Sequence, residues 1–278
     1  MAVTDQDRAL EAAIGGVTFF LTGSGGTGKS ETVKRIVEAL ASRGKKVVVT
    51  ATTGTAAVQV GGVTLHAFLG MGLCEESLDD VRLKARLRRR SFARKMQAVD
   101  CLVIDEVSML DAEFFAKADV IVREYRGRRD APFGGMQVIA VGDFCQLPPV
   151  AGDGFLFDAP LWAEVFKGNI FELRKVFRQR DDSTFVEVLE RARRGQLTDV
   201  DVEVLNARVG ADVGAKGIRP TELRCYRREV ESVNDAELRR LPQFTGGAVA
   251  YDIQVFHAPV GLRGQAMSFS RSVPVPQR

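Results

Sequence analysis

The stretch GSGGTGKS, which is Gly23, Ser24, Gly25, Gly26, Thr27, Gly28, Lys29 and Ser30, follows the apolar run VTFFLT (residues 17–22) and leads into ETVKRIVEALAS (residues 31–42), where apolar residues return every three or four positions. The apolar run predicts a strand, and the periodic segment, closed by Gly44, predicts a helix. Between them the residues fit the pattern G-x-x-x-x-G-K-[ST]. Glycines have no Cβ, so successive N–H groups can turn inward and approach a polyphosphate, and the positive end of the following helix favours the same anion. In that setting Lys29 is expected to reach the β and γ phosphates of ATP and Ser30 to ligate Mg²⁺.

Further strands are predicted at residues 46–51 (KVVVTA), 101–105 (CLVID) and 136–143 (MQVIAVGD), with a helix over 111–126 that Asp111 caps and Gly127 ends. Alternating strands and helices predict an α/β fold, a parallel sheet with helices on both faces and ligands outside the carboxyl ends of the strands. The run CLVIDE delivers Asp105 to such an end, where its carboxylate can hold Mg²⁺ through water, and Glu106 beside it suits a general base that orients an attacking water. A strand ending in two acids is weak alone; joined to the glycine loop, it predicts nucleotide hydrolysis. A third strand end, VGDFCQ, offers Gln146 to the γ phosphate or to the attacking water.

Composition bounds the rest. The 278 residues carry a formal net charge of +3, too mild to identify a nucleic-acid partner by itself. Four cysteines, Cys74, Cys101, Cys145 and Cys225, form no C-x-x-C pair, and the two histidines, His66 and His257, are not at zinc spacing, so the thiols are expected to be reduced. No signal segment, apolar span of membrane length or internal repeat is found, and an intracellular protein with no membrane partner is expected. After residue 150 prolines and glycines mark a loop, and a domain boundary is expected near residue 168. A strand at 221–226 and a helix at 227–240 then open a second unit, and 245–278 reads as an irregular tail. The run RLKARLRRRSFARK (residues 82–95) holds eight basic residues and no acid; it reads as a solvated helix face, with binding to DNA phosphates as the secondary reading.

Taken in order, DQDRALEAAIGG (5–16), the glycine loop, VTATTGTAAVQVGGVTLHAFLGMG (49–72 within KVVVTA onward), DEVSMLDAEFFAKAD (105–119), PFGGMQVIAVGDFCQLPPV (132–150), KVFRQRDDSTFVEVLERARRGQ (175–196) and RREVESVNDAELRRLP (227–242) resemble the petite-integration-frequency (Pif-type) family of DNA helicases, members of superfamily one that move 5′ to 3′ on single strands. The resemblance runs from Asp5 to Phe244 and implies a RecA-like P-loop NTPase domain over 1–168 and the start of a second, incomplete RecA-like domain over 169–244. It implies that Gln6 recognises the adenine edge and that Arg178 reaches the γ phosphate across a cleft between domains, where an arginine stabilises transition-state charge. It also implies that residues 52–57 and 61–70 hold single-stranded DNA, with Thr53, Gly54 and Thr64 gripping phosphates and His66 or Phe68 stacking on bases. The alternative is that Leu65 and Phe68 are core and His66 only caps a turn.

The family implies single-stranded or forked DNA as partner, a monomer, and roles in repair, recombination and telomere maintenance, in the nucleus or mitochondrion of a eukaryote or the cytoplasm of a bacterium. Gly25 stands where alanine is common in the family. The motifs that complete the family's second domain are not found, so a truncated form is expected, with a nucleotide-gated single-stranded DNA-binding module that hydrolyses ATP weakly as the alternative. A P-loop kinase or metabolic ATPase is disfavoured for want of a small-molecule acceptor pocket.

Overall fold

The computed structural model describes residues 3–72, 74–149, 154–177, 182–211 and 221–240. In chain order the elements are α1 (Asp5–Ile14), β1 (Phe19–Thr22), α2 (Lys29–Ala41), β2 (Val47–Ala51), α3 (Gly54–Gln59), β3 (Val63–Thr64), α4 (Leu65–Leu69), α5 (Leu78–Gln97), β4 (Cys101–Asp105), α6 (Ala112–Arg126), β5 (Gln137–Val141), α7 (Pro160–Phe166), β6 (Ile170–Glu172), α8 (Ser183–Arg193), α9 (Asp199–Asn206) and α10 (Arg227–Arg240).

The six strands form one parallel sheet in the order β3-β2-β4-β5-β1-β6. Strand β4 lies in its interior, pairing Val47 with Cys101 through Ala51 with Asp105 on one side and Cys101 with Gln137 through Ile104 with Ala140 on the other. It is apolar until its last residue because both of its faces are covered, as a central parallel strand requires. Leu102 and Ile104 face one core with Phe20, Val138 and Ala140, beneath α5, α6 and α7. Cys101 and Val103 face the other, with Phe19, Leu21, Ile139 and Val141, beneath α1 and α2. From β1 the chain crosses on one face to β2, and from β5 it goes the other way to β6, so the order of the chain reverses beside the β1–β5 pair. In such sheets the reversal opens a crevice at the carboxyl ends of the strands.

The helix ends follow local chemistry. Asp111 caps α6 by accepting from the Phe114 N–H at 2.7 Å, and Gly127 ends it with φ 71°. Thr4 and Asp7 form a reciprocal capping box at the head of α1. Arg126 at the end of α6 donates to the carbonyls of Met96, Val99 and Gly134, fastening α6 to the exit of α5.

The compact unit extends from the start of the chain to Val209, past the boundary expected near residue 168. The reason is β6, which adds to the edge of the same sheet beside β1, and α8, whose Val188 is buried. Residues 221–226 form no strand, in contrast to the sequence reading; the helix at 227–240 is present as α10, in the second unit. The expected irregular tail over 245–278 lies outside the described residues. No described helix is long and apolar enough to cross a membrane.

Candidate functional site

The loop after β1 is held in shape by its own residues and by two neighbouring segments. Gly23 has φ 147°, and a Cβ there would lie 2.5 Å from the Leu173 carbonyl oxygen and 2.8 Å from Thr27 Oγ1. Gly28 has φ 87° and caps α2 without a side-chain bond, leaving the first N–H groups of that helix open. Thr27 is buried and donates its hydroxyl to the Ser24 carbonyl at 2.9 Å. The segment after β6 closes over the loop: the Leu173 N–H donates to Thr22 O and the Phe177 N–H to Gly26 O, both at 2.8 Å. Gln6 reaches across from α1 and donates Nε2 to the Thr27 carbonyl at 3.3 Å. At Gly25 nothing lies within 4 Å of a Cβ position, so the departure from alanine there costs no contact.

Lys29 Nζ donates to the carbonyls of Gly23 at 2.6 Å and Ser24 at 3.1 Å. Burial lowers its pKa, opposed by the nearby charges of Asp143, Glu106 and Asp105. Those acids come from the ends of β4 and β5. Asp105 is 8% exposed, and its Oδ1 accepts from the Glu106 N–H at 3.0 Å. Burial raises the pKa of Asp105, against the pull of that N–H and of Lys29. Glu106 is raised by burial and then by Asp105 and Asp143, with Lys29 opposing. Its backbone is left-handed, φ 54° and ψ 41°, which aims the side chain out of the strand line just as the chain enters a 3-10 turn at Val107–Met109. Ser30, on the first turn of α2, is exposed.

Gln146 is placed by Asp143: its N–H donates to Asp143 O at 2.8 Å and its Nε2 to Oδ2 at 3.4 Å. A cavity of about 330 Å³ is lined by Ser24, Gly25, Cys145, Gln146 and Arg193, among others. On the other side of the loop, Gln6, Thr27, Lys175 and Phe177 line a second of about 410 Å³. The sequence-predicted residues Gln6, the loop from Gly23 to Ser30, Asp105, Glu106 and Gln146 therefore gather at the carboxyl ends of β1, β4 and β5. Arg178 lies outside the described residues. Two partners were missed from sequence. Arg193 reads there as one more solvated helix charge, and nothing in residues 173–177 signals that their amides bond the glycine loop.

For the segments expected to meet DNA, the outcome is divided. Thr53 caps α3 and Thr64 caps α4, each hydroxyl accepting a helix N–H at 3.2 Å, and because Ala51 pairs with Thr64 the two helix starts emerge side by side from neighbouring strands. No heavy atom lies within 4 Å of a Cβ position at Gly54. Phe68, however, is 2% exposed and packed in the core under α5 and α6, so its ring is not available to a base. The expectation of a stacking Phe68 is corrected: position 68 falls on the inward face of α4 with Leu65 and Leu69. His66 stacks one face on Phe114 with centroids 3.9 Å apart and planes at 14°. Burial lowers its pKa and so favours the neutral imidazole, while the charge of Asp111 opposes that shift. In the basic run on α5, Arg82, Lys84 and Arg86 pair with Asp79, Glu76 and Glu124, and Arg88 donates to the Gly70 carbonyl.

A profile of the PIF1-like helicase family matches residues 4–203. The chain belongs to the PIF1-like helicase family. It is 40% identical over 245 residues to the ATP-dependent DNA helicase PIF1 of Saccharomyces cerevisiae, covering 86% of this chain and 28% of that protein. To the human ATP-dependent DNA helicase PIF1 it is 38% identical over 242 residues, covering 86% and 37%. Among solved structures, the Pif1 helicase of Candida albicans matches with a TM-score of 0.79 at 34% identity, over 87% of this chain and 55% of that one. The Bacteroides Pif1 helicase in complex with ADP-AlF3 and single-stranded DNA matches with a TM-score of 0.71 at 27% identity, over 87% and 58%. The PIF1-like chain thus spans about a third of the length of these curated relatives and a little over half of the solved chains, and its RecA-like α/β sheet is the one these structures share.

Proposed function

We propose that this chain carries the ATP-hydrolysing part of a 5′-to-3′ DNA helicase of the PIF1 type, coupling ATP turnover to movement on single-stranded or forked DNA. The observation that carries the reading is the convergence of the glycine loop, the Asp105–Glu106 pair and the Asp143–Gln146 pair at three strand ends around one crevice. The loop amides and the Lys29 ammonium bind and orient the triphosphate, Gln6 and the cavity beside it take the adenine, and Glu106 accepts the proton of the attacking water. The raised pKa of Glu106 suits that base. Gln146 orients the water or the γ phosphate, and Arg178 completes the charge stabilisation.

The donors also fit Mg²⁺. Asp105 uses one carboxylate oxygen on its neighbour's N–H, which leaves Oδ2 to accept, and the Ser30 hydroxyl on the first turn of α2 would add to the hard oxygen set that Mg²⁺ takes together with water. Among the described residues no cluster of three or more His, Cys, Asp or Glu could hold a metal. When bound, Mg²⁺ would neutralise charge on the transferred phosphoryl group. Thr53, Gly54 and Thr64, at paired helix starts, grip the DNA backbone, and His66 offers its outer face to a base.

The test measures phosphate release, nucleotide binding and strand displacement on the same preparation. Single-stranded DNA is expected to raise ATP turnover, Lys29→Ala to abolish it, and Glu106→Gln to retain nucleotide while stopping turnover. A turnover rate indifferent to single-stranded DNA refutes the motor reading, and normal turnover by Glu106→Gln refutes the base assignment.

A further inference from the structure

Asp143 is 1% exposed, just past the end of β5, and its carboxylate is fully engaged. Oδ1 accepts from the Cys145 N–H at 3.1 Å and from Arg193 Nη2 at 2.7 Å; Oδ2 accepts from Arg193 Nε at 2.9 Å and from Gln146 Nε2 at 3.4 Å. Burial alone would raise the pKa of Asp143, but the Arg193 hydrogen bonds, the Cys145 N–H and the charges of Arg193 and Lys29 outweigh it and hold the group ionised. Arg193 is the last residue of α8 and its side chain is 20% exposed. Two parallel bonds from one guanidinium fix the plane of a carboxylate, which a single ammonium contact does not. The same carboxylate then holds the amide of Gln146.

We propose that Arg193 is a positioning residue for nucleotide hydrolysis: by fixing the plane of Asp143 it aims Gln146 at the triphosphate end, and so ties the placement of α8 to γ-phosphate recognition. The inference rests on the reading of Gln146 and the glycine loop given above. A purely structural role is the competing account, because α8 is also anchored by buried Val188 and by the Arg191 fork on Asp201, at 2.7 and 2.8 Å. The two accounts differ in what Arg193→Lys does. That variant keeps a cation beside the buried carboxylate and loses the fork.

The experiment uses the full chain with wild type, Arg193→Lys, Gln146→Ala, the double variant and Arg191→Ala. It measures kcat and KM for ATP, and the affinity for a non-hydrolysable ATP analogue relative to ADP. Arg193→Lys is expected to melt near the wild type, to keep KM within about threefold and to lose roughly tenfold or more in kcat, the scale of a small misplacement of a reacting group. It should also lose its preference for triphosphate over diphosphate, a readout that needs no turnover. The double variant is expected to be no slower than Gln146→Ala alone, because both changes remove one alignment. Wild-type kcat and triphosphate preference in Arg193→Lys, or losses that multiply in the double variant, would overturn the inference. A comparable fall in Arg191→Ala would assign the effect to loosening of α8 and overturn it as well. If the wild-type chain binds no nucleotide, the reading of the site fails and the inference with it; binding by the wild type without an Arg193 effect removes the inference alone.

Discussion

Glu106 occupies a backbone conformation that its side chain disfavours, and replacing it should separate stability from activity. Its φ of 54° and ψ of 41° place it in the left-handed region, where a residue with a Cβ is strained by about 1–2 kcal/mol. The bonds that hold it there are main-chain: its N–H donates to Asp105 Oδ1, and its carbonyl accepts from Thr52 Oγ1 at 3.1 Å and from the Met109 N–H at 3.1 Å. Neither glycine nor alanine at this position removes a donor or acceptor of these bonds. Comparing Glu106→Gly with Glu106→Ala therefore isolates the backbone, since both remove the same carboxylate and its repulsion with Asp105. Glycine releases the strain but loses about 0.5–1 kcal/mol through the freer unfolded chain. The net expectation is about 0.7 kcal/mol in favour of Glu106→Gly, or roughly 2 °C in melting temperature for a unit of this size. At an ordinary helix or strand position the order is the reverse, so the sign decides. Both variants should lose ATP turnover. Urea and thermal unfolding followed by circular dichroism give the difference directly, and an alanine variant equal to or more stable than the glycine variant refutes the strain argument.

The thiols should divide into two classes in a thiol-reagent titration: Cys145 and Cys225, which are exposed, react in the native protein, while Cys74 and Cys101 react only on unfolding. Burial first, and then Asp100, pushes the Cys101 thiol up to about 12, and an ATP analogue should slow Cys145 because it shares a cavity with Ser24 and Gly25; four equal rates would contradict the burial pattern. Asp7 accepts from Arg35 at 2.7 Å, and that bond first, then the Thr4 hydroxyl and N–H, hold its pKa at about 2 against 3.8 ordinarily. Because the folded value is the lower one, its stabilisation is complete above about pH 4 and disappears as the pH falls through 2, so the melting difference between wild type and Asp7→Asn should shrink over that window. A difference that stays constant from about pH 5 to pH 2 would remove Asp7 as its source.

The sheet was legible in the sequence because parallel strands covered on both faces must be apolar throughout. Cys101–Asp105 emerges with the expected bounds, and β1, β2 and β5 lose only one to two residues at their ends. The glycine loop was legible for a similar reason: its residues are dictated by main-chain geometry, which leaves a local mark. What escaped depends on packing across the chain. The strand Ile170–Glu172 is three residues long, exposed at both ends and preceded by the polar turn Lys167–Asn169, so only its pairing with β1 makes it a strand. Phe68 is ambiguous by itself, since a short helix can turn an aromatic either way, and the cover from α5 and α6 decides it. Arg193 stands fifty residues from Asp143 in sequence. A guanidinium on an amphipathic helix carries no local sign of which carboxylate it will meet.

The residues after β6 bond through their main chain to the end of β1 and to the turn that precedes α2, through Leu173 to Thr22 and Phe177 to Gly26. A ligand that displaced the glycine turn would load these bonds directly, because each runs from main chain to main chain with no side chain between. The glycine turn and the segment that leaves the sheet at its edge are thereby joined backbone to backbone.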